Sequence, residues 1–233
     1  VLERILAILD VVRASGSSIS ITDLAAYTQL PKSTVSRLVA ALVEQRYLTR
    51  TEQRVALGLR LFELGSRASL PRLLRAVAAP VVRDLSEATG ERVGLWIYHG
   101  TDMVSVAVVP GRLPMLSTRV GARSPALTTA SGKAFLAFCS DERVVDHVSG
   151  HLRGRDADRF RTELDEVRES SVALDRGVAY PGIVAVASPL ISSDRVVLGA
   201  ISIAGPSGSM DADSVAPLVH AAGATLSRRL AAA

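Results

Sequence analysis

Over the first ninety residues the apolar positions mostly recur with a helical period. Leu2, Ile5, Leu6, Leu9 and Val12 form a stripe that predicts a helix over 1–15, ended by Gly16-Ser17-Ser18. Ser20 followed by Asp23 is a helix-start pattern, and the segment TDLAAYT behind it predicts a short helix. Leu30-Pro31 ends that helix and opens another, because proline suits a first helical turn and not an interior. From about Lys32 to Gln45, Val35, Leu38, Val39 and Leu42 fall on one face at i, i+3, i+4 and i+7. The period then shortens. YLTRT and RVALGL read as two strands around a tight turn near Glu52-Gln53. Residues 58–69 form a connection, and a helix restarts at Pro71 with Leu73, Leu74, Val77, Val81, Val82 and Leu85 as its apolar face. Pro80 is placed to kink it and Gly90 to stop it.

Beyond Glu91 the pattern is strand-like. RVGLWIYHG and DMVSVAVVPG flank Gly100-Thr101-Asp102, and LPMLSTRVG predicts a third strand. Helices follow at about 129–139, 141–149 and 156–175, the last stopped by Gly177. IVAVASPLIS and RVVLGAISIAG predict a hairpin around Ser193-Asp194, and a helix closes the chain from about Met210. Strands with helices before, between and after them imply an α+β fold, an antiparallel sheet covered by helices. The change of period and the linker place a boundary near Ser69, giving domains at 1–69 and 70–233.

Charge sharpens this division. The formal net charge is +4. Residues 1–70 hold nine Lys/Arg against six Asp/Glu, and residues 71–233 eighteen against seventeen. The basic excess per residue is therefore greater at the N-terminal end, as nucleic-acid binding requires. Cys139 is the single cysteine, which excludes an internal disulfide and fits a reducing cytoplasm. No apolar run approaches the roughly 20 residues of a membrane helix, and Glu3, Arg4 and Asp10 interrupt VLERILAILDVV, so an amphipathic helix is expected there, not a leader.

Helix, helix and two-stranded ribbon make a winged helix-turn-helix. Two short helices alone would equally suit a hairpin with a solvated polar face; the ribbon and its cations decide. The outer face of the second helix carries Lys32, Ser33, Ser36, Arg37 and Ala40, none bulky enough to keep it out of a major groove. Arg50 and Arg54 flank the ribbon tip, within reach of phosphates. Catalytic motifs are missing. Gly132-Lys133-Ala134 lacks the first glycine and the Ser/Thr of a phosphate loop, Ser131 is not in Ser-x-x-Lys, and no Gly-x-Ser-x-Gly occurs. His99, His147, His151 and His220 are dispersed; His147 and His151 are spaced as a helical metal pair, but Gly150 between them favours a solvated helix end.

LPKSTVSRLVAALVEQRYLTR, followed by LGLRLFELG, resembles the DNA-binding domain of IclR-type transcriptional regulators. TTASGKAFLAF at 128–138 and RGVAYPGIVAVASPLISSDRVVLGAISIAGP at 176–206 resemble the same family's effector domain, so the likeness covers nearly the whole chain. It implies a GAF-like effector-binding and oligomerisation domain that takes small metabolites, often carboxylates or aromatic-pathway intermediates, and a homodimer or homotetramer that reads a near-palindromic operator in double-stranded DNA. No cofactor, metal or membrane is implied. DNA contacts are expected from Lys32, Ser33, Ser36 and Arg37, with Thr34 holding a phosphate and Arg50 and Arg54 anchoring the wing. By motif position, effector contacts are expected from Leu113, Met115, Leu116, Ala130, Ser131, Ile183, Ala185 and Ser202. The helix start at Ala130–Lys133 offers backbone N–H groups to a carboxylate.

The residues themselves leave a choice open. Ile183, Ala185 and Ala187 share one side of a strand, as do Ala200, Ser202 and Ala204. Small side chains there either permit close helix–sheet packing, the reading periodicity favours, or leave a ligand cavity, the reading the resemblance favours. The chain also departs from the family: Ala185 stands where a cysteine is frequent, Ala204 where a second serine is, and the segment from Gly177 to Gly182 is short and lacks an acid. These departures imply a ligand more apolar than a small dicarboxylate, or a pocket that has drifted. The expected function is a ligand-responsive regulator of a metabolic operon; the alternatives are a sensor acting through protein partners and an unrecognised hydrolase.

Overall fold

A computed structural model describes residues 1–111 and 119–232. Leu113, Met115, Leu116 and the start of the expected third strand lie outside the described residues. The chain divides into two compact units, Val1–Ser69 and Leu70–Ala233.

In the first unit, α1 (Leu2–Ala14), α2 (Ile21–Thr28) and α3 (Lys32–Glu44) pack on a small sheet of β1 (Ile19–Ser20), β2 (Leu48–Thr51) and β3 (Arg54–Leu57). The sheet order is β1-β3-β2, with Ile19 opposite Val55 and Thr51 opposite Arg54. Ser20 caps α2 as its spacing predicts: its Oγ accepts from the Asp23 N–H at 3.1 Å and donates to the Asp23 carboxylate at 2.7 Å. The core gathers Ile8, Val12, Leu24, Val35, Val39, Leu48 and Val55. On α1 the buried line runs through Ile8 and Val12, so Leu2 and Leu6, counted in the predicted stripe, lie on its flank and are exposed. A short helix α4 (Leu59–Gly65) follows the wing.

The second unit begins with α5 (Ser69–Thr89), which continues through Pro80. Its sheet contains β4 (Arg92–His99), β5 (Asp102–Val109), β6 (Arg123–Pro125), β7 (Ala173–Arg176), β8 (Ile183–Ile191) and β9 (Val197–Pro206). Among the described residues the order is β6-β5-β4-β9-β8-β7, and each neighbouring pair is antiparallel. The helices are α6 (Ala130–Ala137), α7 (Glu142–Ser149), α8 (Arg155–Ser170) and α9 (Ala212–Ala231). The predicted helix over 156–175 is two elements. Ser171 takes a left-handed conformation at φ 56° and ends α8, and the segment after it pairs with β8 as β7.

Both faces of the sheet are covered. On one, α5 (Leu74, Val82, Leu85) and α9 (Val219, Leu226) meet Val93, Leu95, Ile201 and Ile203. On the other, α6 and α8 (Phe135, Phe160, Leu164) meet Trp96, Ala187 and Ala200. Fully burying one such Leu or Phe stabilises by about 1.5–3 kcal/mol.

α6 is packed tightly against the segment that leads into it. A Cβ added at Gly132 would lie 2.0 Å from the Ala126 carbonyl oxygen. Gly132→Ala should therefore destabilise the fold by about 1–3 kcal/mol or more, read as a lower urea midpoint with an unchanged slope.

Candidate functional site

α2 and α3 differ at their N-termini. α2 is closed by its own Ser20, whereas α3 follows Pro31, which offers no side-chain cap. The first N–H groups of α3 are left for an outside acceptor, at the end of the helix where the macrodipole favours an anion. Around that end Lys32, Ser33, Ser36 and Arg37 are exposed and Thr34 is half-buried, while Val35 and Val39 are sealed in the core at 0% exposure. Among the described residues neither Lys32 nor Arg37 is engaged in an ion pair.

Lys32, Ser33, Ser36 and Arg50 line one open groove of about 710 Å³, with Gln53 and the start of α2 as its other walls. Arg37 lies further along α3 and outside this groove. Arg50 braces the wing turn, donating to the Glu52 carbonyl at 3.0 Å. Glu52 holds φ 55° there, in a two-residue turn where glycine is usual. Arg54 reaches back from the wing and donates to Ser18 Oγ at 2.8 Å and to the Ser18 carbonyl. Its side chain thus ties the wing to the loop before α2.

The second unit holds a pocket on the α6 side of the sheet. Ala130, Ser131, Ile183, Ala185 and Ser202 all line it, so every described member of the expected effector set comes to one place. The two readings of the small side chains are both realised. Ala187 and Ala200 are fully buried in the core that α6 shares with the sheet. One or two pairs further along the same strands, Ala185, Ser202 and Ala204 line the pocket. Ala185 and Ala204 are direct cross-strand partners. The empty space is about 420 Å³ counted to the open mouth, but a water molecule's centre can move through only about 30 Å³ of it.

Register builds the pocket wall. Arg92, Gly94 and Trp96 alternate along β4 and pair with Ala204, Ser202 and Ala200 of β9. With no side chain at Gly94, the Trp96 indole folds back over it; a Cβ there would be 2.6 Å from Trp96 Nε1. The indole N–H then donates to Ser202 Oγ at 2.8 Å. The Arg92 guanidinium lies over the same ring, 5.8 Å from its centre. Burial pushes the Arg92 pKa down from its ordinary value, while Tyr180 acts in the opposite direction.

Sequence reasoning missed Arg92, Trp96, Ser124, Asp175 and Tyr180, which also line the pocket. A usable clue was present in RVGLWIYH, where an arginine and a tryptophan share one side of an otherwise apolar strand. The segment from Gly177 to Gly182 holds no acid of its own, but one stands next to it. Asp175, just before that segment, is buried and accepts from the N–H groups of Val178 at 2.8 Å and Ala179 at 3.3 and 3.4 Å. Lys133 is not a pocket cation: its Nζ is 2.7 Å from Glu163 of α8. Among the described residues no group of three or more His, Cys, Asp and Glu side chains converges as metal ligands, and no helix is long and apolar enough to cross a membrane.

The sequence matches two family descriptions: IclR helix-turn-helix domain over residues 1–52, and bacterial transcriptional regulator IclR C-terminal over residues 71–228. It is 28% identical to the acetate operon repressor of Salmonella typhimurium, covering 93% of this chain and 84% of that protein. It is 28% identical to the HTH-type transcriptional repressor AllR of Escherichia coli, over 91% and 82% of the two chains. Among solved structures, an IclR homolog from Microbacterium hydrocarbonoxydans, complexed with 4-hydroxybenzoate, has the same fold with a TM-score of 0.88, at 23% identity over 100% of this chain and 99% of that one. Thermotoga maritima IclR has a TM-score of 0.75 at 22% identity, over 99% and 98%.

Ser202→Ala would leave the buried Trp96 N–H without its acceptor. A loss of about 1–3 kcal/mol is expected, measured by urea denaturation. Trp96 is the only tryptophan, so its emission in the folded variant should change as well.

Proposed function

The chain belongs to the IclR family of bacterial transcriptional regulators, and we propose that it controls a metabolic operon by docking α3 in its operator and altering that grip when a metabolite enters the Trp96 pocket. The observation that carries the DNA half is the open N-terminal turn of α3. Its free N–H groups, Lys32 and Arg37 face solvent on the side opposite the buried valines. In this reading Lys32, Ser33, Ser36 and Arg37 meet base edges in the major groove, Thr34 holds a phosphate at the first turn, and Arg50 and Arg54 meet phosphates from the wing. Arg54 would do so while still tied to Ser18. Val1–Ser69 is then the DNA-binding unit, and Leu70–Ala233 the effector-binding and oligomerising one.

A homodimer or homotetramer would present two such units to a near-palindrome, since operator symmetry mirrors protein symmetry. The effector would act by binding one arrangement of the protein better than another and so shifting the population that fits the operator. Operation on DNA inside the cell places it in the cytoplasm. That a Microbacterium protein of the same fold holds 4-hydroxybenzoate supports a small organic molecule as effector.

Selection of genomic fragments by the purified protein, followed by mobility shifts at two salt concentrations, tests this reading. A recovered near-palindrome bound with steep salt dependence is expected. Enrichment of no site, with or without cell metabolites, would instead favour a sensor that works through protein partners. On a recovered operator, Arg37→Ala should weaken specific binding by about 1–3 kcal/mol and leave non-specific binding nearly unchanged. Equal losses would reassign Arg37 to a phosphate.

A further inference from the structure

The pocket holds a cation that the described fold does not neutralise. Arg92 Nε and Nη1 are each shielded from solvent and find no hydrogen-bond acceptor among the described residues. A guanidinium stays charged in a folded protein. Leaving its donors dry and unpaired opposes folding, so such groups usually mark a place that something else completes. The Trp96 ring beneath it stabilises the positive charge but accepts no conventional hydrogen bond.

The neighbouring polar groups are already paired. Asp175 takes the N–H groups of Val178 and Ala179. Tyr180 and Ser124 share a hydrogen bond at 3.0 Å, and Ser202 accepts from Trp96. Thr129 donates to the Pro125 carbonyl at 2.7 Å and Ser131 to Thr129 at 3.5 Å. The rest of the wall is apolar, from Ala130, Ile183, Ala185 and Ala204. Thus the pocket offers a single uncommitted positive charge among its described lining, and a small apolar surface beside it.

We propose that the effector is a small organic monoanion, a monocarboxylate with a compact apolar body, whose carboxylate is received by the Arg92 guanidinium. This rests on the reading that the Trp96 pocket is the effector site. A second carboxylate on the ligand would meet no free cation and would share the pocket with the Asp175 carboxylate, so dicarboxylates are discriminated against. The alanines that replace the family's polar residues suit the apolar body. The narrow free space limits that body to about one ring or a short branched chain.

The test uses the full chain and titrates its single tryptophan's fluorescence, with calorimetry in parallel. The probes are benzoate and isovalerate as monocarboxylates, benzamide as the neutral analogue, and phthalate and succinate as dicarboxylates. At least one monocarboxylate should bind saturably, with benzamide and both dicarboxylates about tenfold weaker or worse. Arg92→Gln should abolish the preference for benzoate over benzamide, and Arg92→Lys should restore part of it. Without ligand, Arg92→Gln should be no less heat-stable than the native chain, because it removes an unpaired buried charge. Benzamide binding as tightly as benzoate, a dicarboxylate binding tighter than both monocarboxylates, unaltered affinities in Arg92→Gln, or no saturable binding of either monocarboxylate would each overturn the proposal. Mobility shifts on the recovered operator separate the two claims. Monocarboxylate binding that depends on Arg92 but leaves DNA affinity unchanged keeps the anion site and sinks its role as effector site. A DNA response to metabolites that survives Arg92→Gln keeps the regulator and sinks the anion site.

Discussion

The C-terminal unit depends on one constraint: its antiparallel sheet is buried on both faces, so each strand must satisfy two different cores. The solution is asymmetric. Toward α5 and α9 the strands present Val93, Leu95, Ile201 and Ile203, large side chains that fill a layer between sheet and helices. Toward α6 they present Ala187 and Ala200, small ones that let the helix pack close to the sheet. Where the small side chains run on past the helix start, no described residue fills the space they leave, and that space is the pocket. The pocket is a by-product of how closely one helix must approach.

Local sequence governs as much in the N-terminal unit. α2 and α3 are similar short helices, but Ser20 closes one and Pro31 leaves the other open. The same physical deficit, unpaired N–H groups in a first turn, is removed where the helix is scaffolding and retained where it faces outward. Buried valines behind α3 hold that open turn in place at no cost to its polar face.

How much could be read beforehand follows from the range of the interactions. The Ser20–Asp23 cap, the apolar face of α3 and the ribbon after it rest on residues a few positions apart, and the sequence displays them directly. β1 was invisible because two residues cannot alternate; it exists only because Val55 and Arg54 of β3 pair with it. The end of α8 was misplaced because Val172 and Leu174 continue an apolar count that Ser171 interrupts by its backbone conformation alone. The pocket was half legible. Ala185 and Ser202 lie in motifs, but Trp96 acquires its role from a serine 106 residues away, and Arg92 from the indole that this hydrogen bond fixes. Chemistry assembled across that distance leaves no spacing to read.

The facing of Ala185 and Ala204 across the β8–β9 ladder has a practical meaning. The two alanines form one rung, not two independent places on the wall. Whatever side chains occupy that rung set the depth of the pocket floor, while the hydrogen-bonded indole wall on β4 stays where it is. A biosensor made from this chain would be retuned there, by changing both positions together, so that bulk added on one strand is matched by space kept on the other.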